Sequence, residues 1–107
     1  MTRERDIEKY LVERVKALGG EVRKVKWIGR AGAPDRVVML PPCVGLLQLT
    51  PSGRFDRTTP PQTIWVELKA PGKPPTEAQA REHERMRAMG QRVVVVDSFN
   101  GVDWLLP

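Results

Sequence analysis

Three charged residues have the types and spacing to do chemistry together: Asp35, Glu67 and Lys69. Glu67 and Lys69 lie two apart in Ile64-Trp65-Val66-Glu67-Leu68-Lys69, a β-branched and aromatic run bounded by Pro60-Pro61 and Pro71-Gly72, which reads as a strand. Alternate residues of a strand share a face, so Trp65, Glu67 and Lys69 point one way while Ile64, Val66 and Leu68 point into a core. Alone, a Glu-x-Lys pair is the ordinary pattern of a half-exposed strand face. Asp35 changes the reading. It follows Gly32-Ala33-Pro34 and precedes Val37-Val38-Met39-Leu40, a second apolar strand. If these strands pair, Asp35 and Glu67 converge with Lys69 beside them. Two carboxylates and an ammonium at a strand end suit metal-dependent hydrolysis of a phosphodiester. The acids give a hard divalent cation its oxygen ligands, the cation polarises the phosphate and acidifies a water, and the lysine supplies a compact positive charge.

The elements that must position this trio can be read along the chain. Residues 3–18 form an amphipathic helix, with Thr2 as N-cap and Gly19-Gly20 as its stop. Ile7, Leu11, Val15 and Leu18 make one apolar stripe at helical spacing, widened by Val12. Glu4 and Glu8 fall on the same arc. Glu4 is near enough to the helix start to reach water. A carboxylate at Glu8 needs a partner or an edge position, because burying it unpaired is costly. Residues 21–28 are expected as a strand of imperfect alternation, with Val22, Val25 and Trp27 as its apolar members. Gly29 to Pro34 then form a loop, and Pro34 stiffens the approach to Asp35.

After the strand over 36–41, residues 42–62 make an excursion, either a hairpin or a loop, with 44–50 as a candidate strand and Pro51-Ser52-Gly53 as a turn signal. Beyond the central strand, Thr76 and Gln79 fit the capping box of a helix over 77–89 that ends at Gly90. Gln79 thus has a capping role to set beside any contact with the site. Arg81 and Arg85 share a face at i,i+4 spacing, and His83, between Glu82 and Glu84, is expected on a solvated surface. Val93-Val94-Val95-Val96 reads as a strand buried on both faces. Ser98 caps a short last helix whose Val102, Trp104, Leu105 and Leu106 pack back onto the sheet. The order is helix, two strands, excursion, strand, helix, strand, helix: an α/β mixed sheet flanked by helices. A helix between the strands near 63–69 and 92–97 makes that pair parallel.

Composition narrows the partners. Eighteen Lys+Arg against thirteen Asp+Glu give a net charge of +5 over 107 residues, with a pI near 9.9. That balance favours polyanions, and no apolar run approaches the roughly 18 residues of a membrane span. Of the polyanions, nucleic acid is the expected one, with no membrane partner. Cys43 is the only cysteine and His83 the only histidine, which excludes an intrachain disulfide and a Cys/His zinc site within one chain. No signal peptide is visible after Met1, and a cytoplasmic protein is expected.

The combination of Gly32-Ala33-Pro34-Asp35, Trp65-Val66-Glu67-Leu68-Lys69-Ala70-Pro71-Gly72-Lys73 and Gln79 resembles the PD-(D/E)XK nuclease superfamily. More narrowly, from about Glu4 to Leu106 the chain is similar to stand-alone VRR-NUC domains of phages and mobile elements. The resemblance implies one restriction-endonuclease-like domain (αβββαβ) over 1–107. It makes Asp35 and Glu67 metal ligands, joined by Glu8 of the first helix and a backbone carbonyl of Val66 or Leu68. Lys69 becomes the catalytic lysine and Gln79 the motif glutamine. Mg²⁺ or Mn²⁺ is the implied cofactor and DNA, branched or duplex, the implied substrate. Homodimers resembling Holliday-junction resolvases are the implied assembly, in a bacterial or phage-infected cell. Lys24, Lys26, Arg30, Lys73, Arg81 and Arg85 are the expected phosphate contacts. The excursion at 42–62 is longer than the tight connection expected there. A DNA-binding module without catalysis, an enzyme acting on RNA, and a nuclease subunit needing a partner are the competing readings.

Overall fold

The computed structural model describes residues 1–44 and 58–106. Helix α1 (Glu4–Ala17) leads into β1 (Glu21–Lys24) and β2 (Arg36–Leu40). Two short strands follow, β3 (Cys43–Val44) and β4 (Thr58–Thr59), then β5 (Gln62–Leu68), α2 (Glu77–Ala88), β6 (Val93–Val96) and α3 (Phe99–Leu105). The main sheet runs β1-β2-β5-β6. Its first two pairings are antiparallel and the β5–β6 pairing is parallel, as the intervening helix α2 requires. The expected mixed α/β sheet with flanking helices is therefore present.

One face of the sheet carries the apolar core. Val38, Leu40, Ile64, Val66 and Val96 meet Ile7, Leu11 and Val15 of α1 together with Val102, Leu105 and Leu106 at the chain's end. Most of these side chains are fully buried, so truncating one to alanine costs about 2–5 kcal/mol. Helix α2 covers the opposite face, to which Trp65 and Glu67 point, but brings little apolar surface: its buried residues are Glu82, His83 and Met86.

Several sequence expectations shift. The first helix is capped at Arg3, whose backbone N–H donates to the Asp6 carboxylate at 2.8 Å, rather than by Thr2. Strand β1 stops at Lys24, short of Ile28, because the chain leaves the ladder to carry Trp27 back toward Pro34. This is the reason for its imperfect alternation. In β6 only Val93 and Val96 are buried, since the strand forms a sheet edge. Trp104 is 88% exposed and does not pack onto the sheet: α3 turns Val102 and Leu105 inward and Trp104 outward. The excursion begins and ends as a two-stranded antiparallel stem, Cys43 opposite Thr59 and Val44 opposite Thr58. Most of its candidate strand over 44–50, with the turn signal at Pro51-Ser52-Gly53, lies outside the described residues.

Candidate active site

Strand register brings the two principal acids together. Arg36 is paired with Val66 across the β2–β5 ladder, so one step further Asp35 stands opposite Glu67. On its other side the Asp35 carbonyl accepts the Val25 N–H at 2.9 Å, which fixes the backbone where the strand begins. The loop before it is held just as firmly. Gly32 has φ +83°, and a Cβ at that position would lie 2.6 Å from the Ala78 carbonyl oxygen. Only glycine lets the loop press this closely on the first turn of α2. Pro34 is buried, and its carbonyl accepts the Trp27 indole N–H at 2.8 Å. The Trp27 ring in turn rests against Trp65 with centroids 5.4 Å apart. Asp35 thus projects, more than half exposed, from a stiff support.

Glu67 and Lys69 are buried, at 7% and 9% exposure. Burial chiefly, and then the charge of Asp35, push the Glu67 carboxyl up to about 7, while the Lys69 ammonium opposes the rise. These neighbours show that the three side chains share one electrostatic neighbourhood. His83 of α2, 1% exposed, sets Nε2 3.3 Å from Glu67 Oε1. Its own burial, seconded by the Arg87 guanidinium, holds the imidazole below its usual pKa and so favours the neutral ring. The expectation of a solvated His83 is overturned: helical spacing from Gln79 through His83 to Met86 turns it toward the sheet. Glu82 is also buried, gripped by Arg30 at 2.7 and 3.0 Å and by Arg85 at 2.9 Å.

Glu8 is not alone on its apolar face. The Arg36 side chain, 12% exposed, donates from Nη2 to Glu8 Oε2 at 2.9 Å. Its Nη1 lies 3.1 Å from Asp35 Oδ1 and also donates to the Asp35 carbonyl at 3.2 Å. Among the described residues no three His, Cys, Asp or Glu side chains are gathered closely enough to hold a metal ion. The structure therefore brings Asp35 opposite Glu67 and ties Glu8 to Arg36. What remains for a cation is a pair of carboxylates with the backbone carbonyl of Leu68 between Glu67 and Lys69. An all-oxygen set of this size suits Mg²⁺ or Mn²⁺, which keep several of their own waters.

Gln79 serves as the capping box of α2: its side-chain oxygen accepts the Thr76 N–H at 2.8 Å, and its own N–H donates to Thr76 Oγ1 at 3.2 Å. Lys24, Lys26 and Arg30 line a groove of about 560 Å³ whose wall includes Asp35 and Arg36. Arg30, Arg81 and Arg85 surround a neighbouring hollow of about 280 Å³, and Lys73 is exposed in the loop after β5. Arg30 and Arg85 remain about half exposed despite their bonds to Glu82.

Arg36, His83 and Glu82 went unnoticed in the sequence. For Arg36 a signal existed: strand alternation puts it on the face of Val38 and Leu40, opposite the helix that carries Glu8. For His83 the signal was Met86 three residues on. Glu82 had none, because its partner Arg30 is remote in the chain.

No family model matches the chain. It is 42% identical over 98 residues to "Putative nuclease p44" of Acyrthosiphon pisum secondary endosymbiont phage 1, covering 92% of this chain and 86% of that protein. A solved structure of a VRR_NUC domain aligns with a TM-score of 0.70 at 40% identity, over 98% of this chain and 95% of the other. Relatives of this kind, on a mixed sheet with acids and a lysine at one strand end, put the chain among the nucleases. Within them it belongs to the VRR-NUC family. No helix among the described residues is long and apolar enough to cross a membrane.

Proposed function

We propose that the protein is a divalent-metal-dependent endonuclease acting on DNA in the cytoplasm of a bacterial or phage-infected cell. Branched molecules, four-way junctions included, would be its substrates and a homodimer its working form. The observation that carries the reading is Asp35 opposite Glu67 at the end of the β2–β5 ladder, with Lys69 on the same face of β5.

Asp35 and Glu67, with the Leu68 carbonyl, would hold Mg²⁺ or Mn²⁺. When bound, the ion supplies polarisation of the scissile phosphate and a lowered pKa for an attacking water. Lys69, an ammonium held in a buried setting, orients the nucleophile and steadies the negative charge that develops on the phosphate oxygens. Gln79, one turn into α2 and close to the Gly32 loop, would contact the substrate with its amide nitrogen while its oxygen keeps the cap. Lys24, Lys26 and Arg30 would track the backbone of the DNA beside the acids, with Arg81, Arg85 and Lys73 extending the basic surface. Two such sites related by a twofold axis would cut opposed strands of a symmetric junction.

The test is incubation of labelled duplex, flap and four-way-junction DNA with Mg²⁺, Mn²⁺ or EDTA, beside a solution mass. Metal-dependent cleavage, strongest on a branched substrate and from a dimer, is the expected result. Cleavage that persists in EDTA, or none on any DNA with metal present, would overturn the reading.

A further inference from the structure

We propose that Arg36 is a resident counter-cation of the site, which withholds Glu8 from the metal and limits each chain to one divalent ion. The inference rests on the metal-dependent reading above and concerns which of this chain's acids take part in it. Its basis is geometric. Arg36 faces the core side of the sheet in register with Val66, beneath α1, and only 12% of its side chain reaches solvent. From there one guanidinium nitrogen takes Glu8 Oε2 at 2.9 Å and another takes Asp35 Oδ1 at 3.1 Å and the Asp35 carbonyl at 3.2 Å.

Two consequences follow from the chemistry of that group. A guanidinium does not deprotonate in a protein, so a permanent positive charge sits between Glu8 and the remaining acids. A second divalent ion reaching for Glu8 would meet that charge at close range. Arg36 also occupies Oδ1 of Asp35 and fixes the carboxylate plane, which leaves Oδ2 for an ion shared with Glu67. Neither carboxylate contact is readily broken, because the Arg36 side chain is enclosed by α1 and the sheet and has no open route to water. Arg36 is in this sense a positioning residue: it acts on Asp35 and Glu8 and takes no part in the bond that breaks.

Calorimetric titration of the whole chain with Ca²⁺ and with Mn²⁺, read as ions bound per chain and affinity, tests this without requiring turnover. Wild type is expected to bind one ion. Glu8→Gln keeps an oxygen that can accept from Arg36 but removes the charge a metal ligand needs, and it is expected to bind one ion with affinity within about threefold of wild type. Arg36→Met releases Glu8 and removes the neighbouring charge, and it is expected to bind Mn²⁺ at least tenfold more tightly or to take up a second ion. In the double variant Glu8→Gln/Arg36→Met the second ion should be lost. A tenfold or greater loss of affinity in Glu8→Gln, or two ions in wild type falling to one in that variant, would overturn the role given to Arg36 while leaving a metal-dependent nuclease intact. If folded Arg36→Met binds the same number of ions with unchanged affinity, the inference also fails. If wild type binds no divalent ion at all, the metal reading fails and takes this inference with it.

Discussion

The imidazole of His83 on α2 lies 3.3 Å from the carboxylate of Glu67 on β5, and both side chains are buried. A helix with little apolar surface is thus docked onto the sheet through polar contacts aimed at the residue central to the site. His83→Leu keeps much of the volume but leaves Glu67 buried without this partner. A loss of stability of about 1–3 kcal/mol is expected, measured as a lower urea midpoint with an unchanged slope. A midpoint equal to that of wild type would show that the contact contributes nothing.

Stability should also depend on pH through Glu67. Its pKa is raised from 4.5 to about 7 in the folded chain, so between those values the folded state holds a proton that the unfolded state has released. Stability contributed by this group is complete below pH 4.5 and is lost as pH rises through about 7. Glu67→Gln removes the titration. Without metal, the variant should therefore gain on wild type as pH is raised from 5 to 8, measured by paired thermal melts. A constant difference across that range would contradict the burial argument. With Mn²⁺ present, wild type should recover the deficit at pH 8, because a ligand carboxylate must be ionised.

Lys69→Ala should abolish most cleavage, by about 10²–10³-fold if it stabilises developing charge as proposed, while DNA affinity at fixed salt changes little. Single-turnover rates and a binding titration on the same junction separate the two. Cleavage at the wild-type rate would remove Lys69 from the mechanism.

The loop that carries Asp35 offers a different kind of test. Gly32→Ala places a methyl where φ is +83° and the Ala78 carbonyl is 2.6 Å away. The strain alone costs about 1–3 kcal/mol, and relieving it must shift Asp35 relative to Glu67. Both stability and metal affinity should fall. Loss of stability with metal affinity unchanged would show that the loop does not position Asp35.

DNA binding should weaken steeply with salt. Each duplex phosphate neutralised contributes about 0.9 to the slope of log affinity against log salt. Lys24→Ala/Lys26→Ala should therefore flatten the slope by about two such increments, and an unchanged slope would place the DNA elsewhere on the surface.

Much of this architecture is written locally in the chain. The stripe Ile7, Leu11, Val15, the alternation around Val38 and Val66, and the Thr76–Gln79 cap each depend on residues close in sequence, and each appears where the pattern puts it. The convergence of Asp35 with Glu67 was legible because two strands had to pair and both acids stood at strand ends. What escaped were partnerships across elements. Trp104 carried the same apolar signal as Val102, yet only the direction of a two-turn helix decides which of them is covered. The polar packing of α2 was hidden because Glu82 and His83 look solvated until Arg30 and Glu67 are brought to them.

The most direct test is a crystal of the whole chain soaked in Mn²⁺ and measured for anomalous scattering. The account predicts a peak between Asp35 and Glu67, at the oxygen distances of a hard divalent ion, about 2.0–2.2 Å from each carboxylate. A fully occupied Mn²⁺ bound by neither residue, or no peak at saturating metal, would contradict it.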